Sequence, residues 1–352
     1  MSTLEARILA ITVTPHPNAE RLAIGHAFGY QFIVPKGRYQ SGDLGVYLTD
    51  GSVLPDALIE AMGVRDYLAG AAKNRVHPVR LRGVLSEGLF FQPVPWPAHW
   101  CAGLDVAAEL GVTKYEPPVP TQMAGKLTAG PRSGIWRPFD IENLKRYAGI
   151  IAPGEPVSLT EKLHGTFVAV GILNGERVVT SKGFLPRGMV LVEDAANLYW
   201  RAATAEALHE KVAAYMAAGV SEALLFGEVF GAGVQDLAYG MAPGQIGFRA
   251  FDLLVRHDSL TNERRYGFLP VVEFFAAMDA LGIPTVPEVY RGPFAADVIA
   301  AHTAGHSTIA AHIREGVVIK PLVPRYDAEI GRVMLKSVSA DYLTRRGGTE
   351  YQ

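Results

Sequence analysis

Cysteine is nearly absent from this sequence: Cys101 stands alone among 352 residues. One thiol cannot close an intrachain disulfide, and every multi-cysteine zinc site is excluded. No apolar run approaches the ~20 residues that a membrane helix needs. The opening Met1-Ser2-Thr3-Leu4-Glu5-Ala6-Arg7 lacks the basic-then-apolar layout of a secretory signal, and Ser2 stands where N-myristoylation requires glycine. A soluble protein of a reducing compartment, the cytoplasm, is the expectation. An excess of one charge is missing too, since 33 Lys plus Arg meet 35 Asp plus Glu for a formal net charge of −2. The first 125 residues hold 10 basic and 11 acidic side chains, so neither part is a basic block. That excludes polybasic nucleic-acid binding but leaves room for a local basic groove. There is no internal repeat, low-complexity tract or heptad seam, and a monomer is expected.

What the chain does have is apolar material: it is 49% hydrophobic and 19% charged. It can bury a sizeable core, and its length suggests two domains. Residues 1 to about 115 read as short strands broken by turns. Tyr30–Val34, Gly45–Leu48, Val79–Arg82 and Leu89–Phe91 are separated by Pro35-Lys36-Gly37, Ser41-Gly42-Asp43, Gly83 and Gly88. Strands at this spacing suggest a small barrel. Proline-rich Pro93–Pro97 and Pro117–Pro120 act as stiff connectors. The second part alternates strands with helical stretches expected over Glu193–Ala218, Val271–Leu281 and, more weakly, Ala295–His312. The fold class is α+β with a β-rich N-terminal module.

Chemistry concentrates in six segments. Glu161-Lys162-Leu163-His164-Gly165-Thr166 places a lysine at a strand edge with glycine three residues on, a layout that suits a nucleophile beside a phosphate. Read alone, an exposed lysine in a hairpin is the plainer account. Ser181-Lys182-Gly183 follows the next strand, and Leu225–Phe230 sets Glu228 in an apolar run. Phe248-Arg249-Ala250-Phe251-Asp252 offers an aromatic platform beside an acid. Glu315-Gly316-Val317-Val318-Ile319-Lys320 and Val333-Met334-Leu335-Lys336-Ser337 add one acid and two lysines. A carboxylate within a buried strand costs several kcal/mol unless it is paired or metal-bound, so two of them suggest a cationic site.

In this order and spacing the six segments resemble the motifs of the covalent nucleotidyltransferase superfamily of ATP-dependent ligases and mRNA-capping enzymes. Lys-x-His-Gly-Thr at 162–166 is similar to the RNA ligase branch, DNA ligases usually carrying Asp where His164 stands. The runs 230–240 and 282–294 resemble that branch as well; without it, residues 231–240 would be an ordinary glycine-rich loop. Only 16 residues follow Lys336, too few for a C-terminal domain, so an accessory module is expected at the N-terminus. There His16-Pro17-Asn18-Ala19-Glu20-Arg21-Leu22, Val34–Gly37, Ser52–Pro55 and Ser86-Glu87-Gly88-Leu89 resemble an OB-fold of the tRNA-binding type. The chain thus resembles the RNA ligase family with an N-terminal OB module and no C-terminal domain. The expected layout is an OB-fold nucleic-acid-binding module at 1–120, a linker at 121–150 and an antiparallel-sheet adenylyltransferase domain at 151–352.

The resemblance implies a reaction in which Lys162 takes AMP from ATP, passes it to an RNA 5′-phosphate, and a 3′-OH then displaces it. Free lysine has a pKa of ~10.4, so about one in 2,500 is neutral at pH 7, and neighbouring cations favour the neutral form. Lys336, with Lys320 behind it, is expected at the α-phosphate; Met334 stands where a second basic residue is common. Glu228 is implied at the ribose or a metal water, and Glu315 at Mg2+ or Mn2+. Phe251 and Val318 would sandwich the adenine, with Phe248 as the alternative stacker or plain core. Lys182 replaces a usual Arg and lacks its bidentate fork, while Glu161 would position adenine through backbone or side chain. His164 would act in strand joining. Arg21, Lys36, Arg38, Arg80 and Arg82 are candidates for phosphate contacts, and Tyr30, Tyr39 and Phe90 could stack on bases or fill the barrel. The expected substrate is RNA ends at nicks, with an RNA or DNA template. The alternatives are a related DNA ligase, a capping guanylyltransferase, or a non-catalytic RNA-binding protein on a decayed ligase fold.

Overall fold

The computed structural model describes residues 4–116, 118–257 and 266–348, so Pro117 of the second proline-rich run lies outside the described residues. The chain divides into two compact units. One comprises Met1–Pro117, Glu142–Ala148 and Ala340–Gln352; the other comprises Pro118–Ile141 and Gly149–Ser339. The segment expected as a linker, 121–150, is therefore shared between the units. Its strand Leu127–Ala129 pairs antiparallel with Met189–Leu191.

In the first unit, Ala6–Ala10, Leu44–Thr49 and Gly88–Phe91 form one antiparallel sheet, and Thr12–Pro15, Leu22–Ala27 and Tyr30–Pro35 form another. The hairpin between Ala27 and Tyr30 turns through Phe28 and Gly29, both at positive φ (50° and 75°). Two left-handed residues match the twist of the flanking strands, and glycine takes the second without steric cost. Leu44–Thr49 is buried on both faces. Tyr47 packs with Phe32, Tyr39 and Phe90 inside the barrel, while Val46 and Leu48 join Ile8, Ile59, Phe91 and Trp100 on the other side. Tyr39 and Phe90 therefore fill the barrel; they are not base-stacking side chains. Helix Asp56–Met62, closed by Gly63 in the left-handed region, was not expected from the sequence.

The second unit is built on two antiparallel sheets. The first runs Glu176–Ser181, Thr166–Leu173, Val220–Gly231, Ile246–His257, Tyr266–Phe268; the second carries Leu335–Val338, Gly316–Pro321, Pro156–Lys162, Glu288–Pro293 in that order. Strand alternation gives the first sheet two apolar faces. One carries Val168, Val170, Leu225 and Val229 against helices Leu198–Ala205, Leu208–Met216 and Val271–Ala280. The other carries Ala169, Leu224, Phe226 and Leu254 toward Val318 of the second sheet and Met334 just before its edge strand. The expected helix 193–218 is two helices, because Ala207 adopts φ +48° and interrupts the turn between them. The expected stretch 295–312 is helical only over Ala296–Thr303, and Gly305 follows at φ +117°.

Candidate active site

Lys162 ends the strand Pro156–Lys162, where the chain leaves the second sheet for the first. Its register partner is Gly316, while Val318 is opposite Lys336 and Lys320 opposite Ser158. Paired residues share a face and the period is two, so Lys162, Val318, Lys320 and Lys336 all face the space between the sheets. The Lys162 amine lies 2.5 Å from Glu315 Oε1. Glu315 Oε2 is buried and accepts no hydrogen bond among the described residues.

Glu228 reaches the same place from the first sheet, opposite Phe167 and Arg249. Deep setting pushes its carboxyl up to about 8; Lys162 pulls it down and Glu315 adds to the rise. Gly165, after His164, cannot carry a side chain. A Cβ there would sit 2.3 Å from the Val229 carbonyl oxygen and 3.0 Å from Glu228 Cγ. The His164 ring is held by Asp236, with Nε2 2.7 Å from Oδ1, and its backbone N–H donates to the Tyr239 hydroxyl at 2.6 Å.

A bulge sets Phe251 and the next residue, Asp252, on the same side, facing the second sheet. Phe226 pairs with Asp252 but Gly227 pairs with Ala250, leaving Phe251 as the extra residue. Its ring lies in the inter-sheet cluster with Val318 and 5.5 Å from Phe139. Phe248 sits three residues back and faces the helices instead, 3% exposed with its ring under Gly227. It is core and not a stacker. Lys320 donates to the Phe251 carbonyl at 2.5 Å and lies 3.4 Å from Asp252, which Arg332 grips with its two terminal guanidinium nitrogens at 2.6 and 3.1 Å. The expectation that Lys320 stands behind Lys336 at the phosphate gives way to a clamp between the two sheets. Burial lowers its pKa, Asp252 working against that. Met334, 2% exposed, is core.

Lys182 pairs with Asp140 at 2.8 Å. Partial burial would raise the Asp140 carboxyl, but the positive charge around it, Lys182 foremost, brings it to about 2. Glu161 turns its Oε2 to the N–H and hydroxyl of Thr308, at 2.8 and 2.7 Å, so its side chain anchors a neighbouring loop. Lys336 is half-buried on its strand. Phe139, Asp140, Asp236, Tyr239, Asp252, Arg332 and Thr308 were not singled out as site residues. Asp252 had a signal, as an acid inside an apolar strand, and Asp236 and Tyr239 lie in the run 230–240 that carries part of the resemblance; Phe139 and Asp140 lay in the presumed linker, and Arg332 and Thr308 carry no spacing that marks them.

No group of three or more His, Cys, Asp or Glu side chains among the described residues is arranged to hold a metal. Two carboxylates, one with an unoccupied buried oxygen, do suit a hard cation that shares its shell with phosphates and water.

A lysine paired with a carboxylate between two antiparallel sheets, with a barrel in the first unit, defines an OB-fold module joined to a nucleotidyltransferase-like domain. The chain belongs to the RNA ligase family, whose model it matches over residues 155–338; residues 6–94 match an OB-fold domain family. Among solved structures it is similar to the RNA ligase of Naegleria gruberi. An apo form of a variant is 25% identical, with a TM-score of 0.79, covering 97% of this chain and 98% of that one. The form with pyrophosphate is 26% identical at a TM-score of 0.78, with the same coverage. A variant with ATP and Mn is 25% identical at 0.76, again covering 97% and 98%. No curated protein sequence matches the chain.

Proposed function

We propose that this protein is an ATP-dependent ligase that seals 3′-OH and 5′-phosphate RNA ends, at nicks in a duplex with an RNA or DNA template, as a monomer of the cytoplasm. The observation that carries the reading is the 2.5 Å contact between the Lys162 amine and Glu315, flanked by Glu228. It sets a nucleophile beside a carboxylate able to take its proton. The nitrogen attacks the α-phosphorus of ATP, a P–N bond forms, the bond to the β-phosphate oxygen breaks and pyrophosphate leaves. An RNA 5′-phosphate oxygen then attacks the same phosphorus and frees the lysine. The 3′-OH finally attacks the activated 5′-phosphate, and AMP leaves.

Lys336 faces the same space as Lys162 and offsets charge on the transferring phosphate. Glu315 and Glu228 would hold Mg2+ or Mn2+ with the phosphates, and the cation would neutralise developing charge. Phe251 and Val318 offer two apolar surfaces for the adenine. Lys182 must exchange Asp140 for a ligand oxygen if it is to touch the nucleotide. His164 serves the joining of the RNA ends. In the first unit Arg21, Lys36, Arg38, Arg80 and Arg82 are exposed and suit phosphate contacts, Arg80 being shared with Asp341 at 2.9 Å.

Incubation with α-labelled ATP and Mg2+ or Mn2+ tests the reading. Label survives denaturing electrophoresis on the wild type and is lost in Lys162→Ala, and nicked duplexes are sealed. Wild-type protein free of bound AMP that takes no label indicates an RNA-binding protein on an inactive ligase fold. Sealing only of DNA ends makes it a DNA ligase.

A further inference from the structure

The loop 231–240 follows the Glu228 strand, and two of its side chains converge on one residue. The Tyr239 hydroxyl accepts the His164 backbone N–H at 2.6 Å, and Asp236 Oδ1 lies 2.7 Å from His164 Nε2. Tyr239 is itself fixed. It adopts a left-handed φ of +53°, rare for a tyrosine, and its ring packs 4.7 Å from Phe230 and 4.5 Å from His312. Because a carboxylate only accepts, the proton of this hydrogen bond sits on Nε2, leaving Nδ1 toward Glu315 Oε2 at 3.9 Å. The His164 and Asp236 side chains are 6% and 16% exposed. A ring held by its backbone on one side and by its far nitrogen on the other has one orientation.

We infer that Asp236 is a positioning residue that acts through His164: it fixes the imidazole tautomer with the proton on Nε2 and so presents Nδ1 as a proton acceptor on the side of the lysine site. The inference rests on the ligase reading above and adds to it a purpose for the loop. The loop is a clamp on the histidine, and Tyr239 is its second jaw. Lys162 and Glu315 meet through the other carboxylate oxygen, Oε1, so the clamp governs His164 without being needed to hold the lysine pair.

The test is a double-mutant cycle read on sealing of a nicked RNA duplex, with lysine labelling followed in the same preparations. Asp236→Ala and His164→Ala each slow sealing, Asp236→Ala by roughly 10–100-fold, the usual range for removing the partner that orients a functional histidine. The KM for ATP stays unchanged and kcat falls. Asp236→Asn keeps an acceptor but can present its amide instead, and it loses several-fold. In the His164→Ala background neither Asp236 substitution lowers the rate further. Thermal unfolding checks that each variant is folded, and the near-isosteric Asp236→Asn carries the cycle should the alanine variant unfold. Multiplicative effects, or wild-type sealing by both Asp236 variants, overturn the inference while the ligase reading stands. A wild type that neither labels nor seals overturns the ligase reading itself.

Discussion

At the scale of single residues, the site is defined by groups held in states they would not choose in water. Glu228 is the clearest. Its carboxyl stands near 8 against an ordinary value of 4.5, so the folded, ligand-free protein binds a proton there that the unfolded chain releases. A raised carboxyl pKa contributes stability below 4.5 that is lost as pH climbs through about 8. Thermal unfolding of the ligand-free protein from pH 5 to 9 is therefore expected to show the wild type losing ground to Glu228→Gln up to about pH 8. A constant difference between the two would show that Glu228 is not perturbed. The sequence displayed this residue well, because an acid in Leu225–Phe230 has no apolar reason to be there. It displayed Lys162 and Glu315 too, through order and spacing. Phe248 and Phe251 it could not separate: alternation puts them on opposite faces, but which face meets the second sheet is set by packing, and the bulge that brings Asp252 to the same side as Phe251 leaves no periodic trace.

At the scale of elements, two apolar layers hold the second unit, and one polar clamp ties its sheets together. Asp252 is 2% exposed. Burial would raise its carboxyl, but Arg332 and Lys320 hold it below the ordinary range. Arg332 also lies 3.6 Å over the Phe268 ring. Arg332→Met leaves Asp252 with the longer Lys320 contact alone. It is expected to destabilise the protein toward the low end of the roughly 3–5 kcal/mol seen when a buried ion pair is broken, measured by urea unfolding; a change under 1 kcal/mol would show that the clamp is ornamental. The helical stretches were legible from apolar spacing, but their ends were not. Glu193–Ala218 has continuous periodicity, yet Ala207 breaks it by a backbone conformation that composition does not announce. Phe139 was hidden for another reason: it lies in a segment read as a connector, and only the fold shows it packed on Phe226, 5.0 Å away.

At the scale of the whole molecule, domain boundaries were the least legible feature, because sequence reading assumes that a domain is one stretch of chain. Here the first unit is assembled from three stretches. Glu87, 5% exposed, has both carboxylate oxygens 2.6 Å from the Lys145 amine, and Arg146 pairs with Glu5. A fragment ending at residue 120 lacks both cations. It is expected to melt at a lower temperature and less sharply than a fragment ending at 148, by circular dichroism; equal melting would make 142–148 dispensable.

The same threading sets an order on synthesis. The barrel strands leave the ribosome first, yet Asp341 and Thr344, which both bond Arg80, emerge only after the whole second unit has been translated. The sheets carrying Lys162 and Glu228 can close while the barrel is still waiting for its last pieces. A chain that stops at residue 339 would hold every side chain of the lysine site but lack the partners of Arg80, so the unit whose strands come first is completed last.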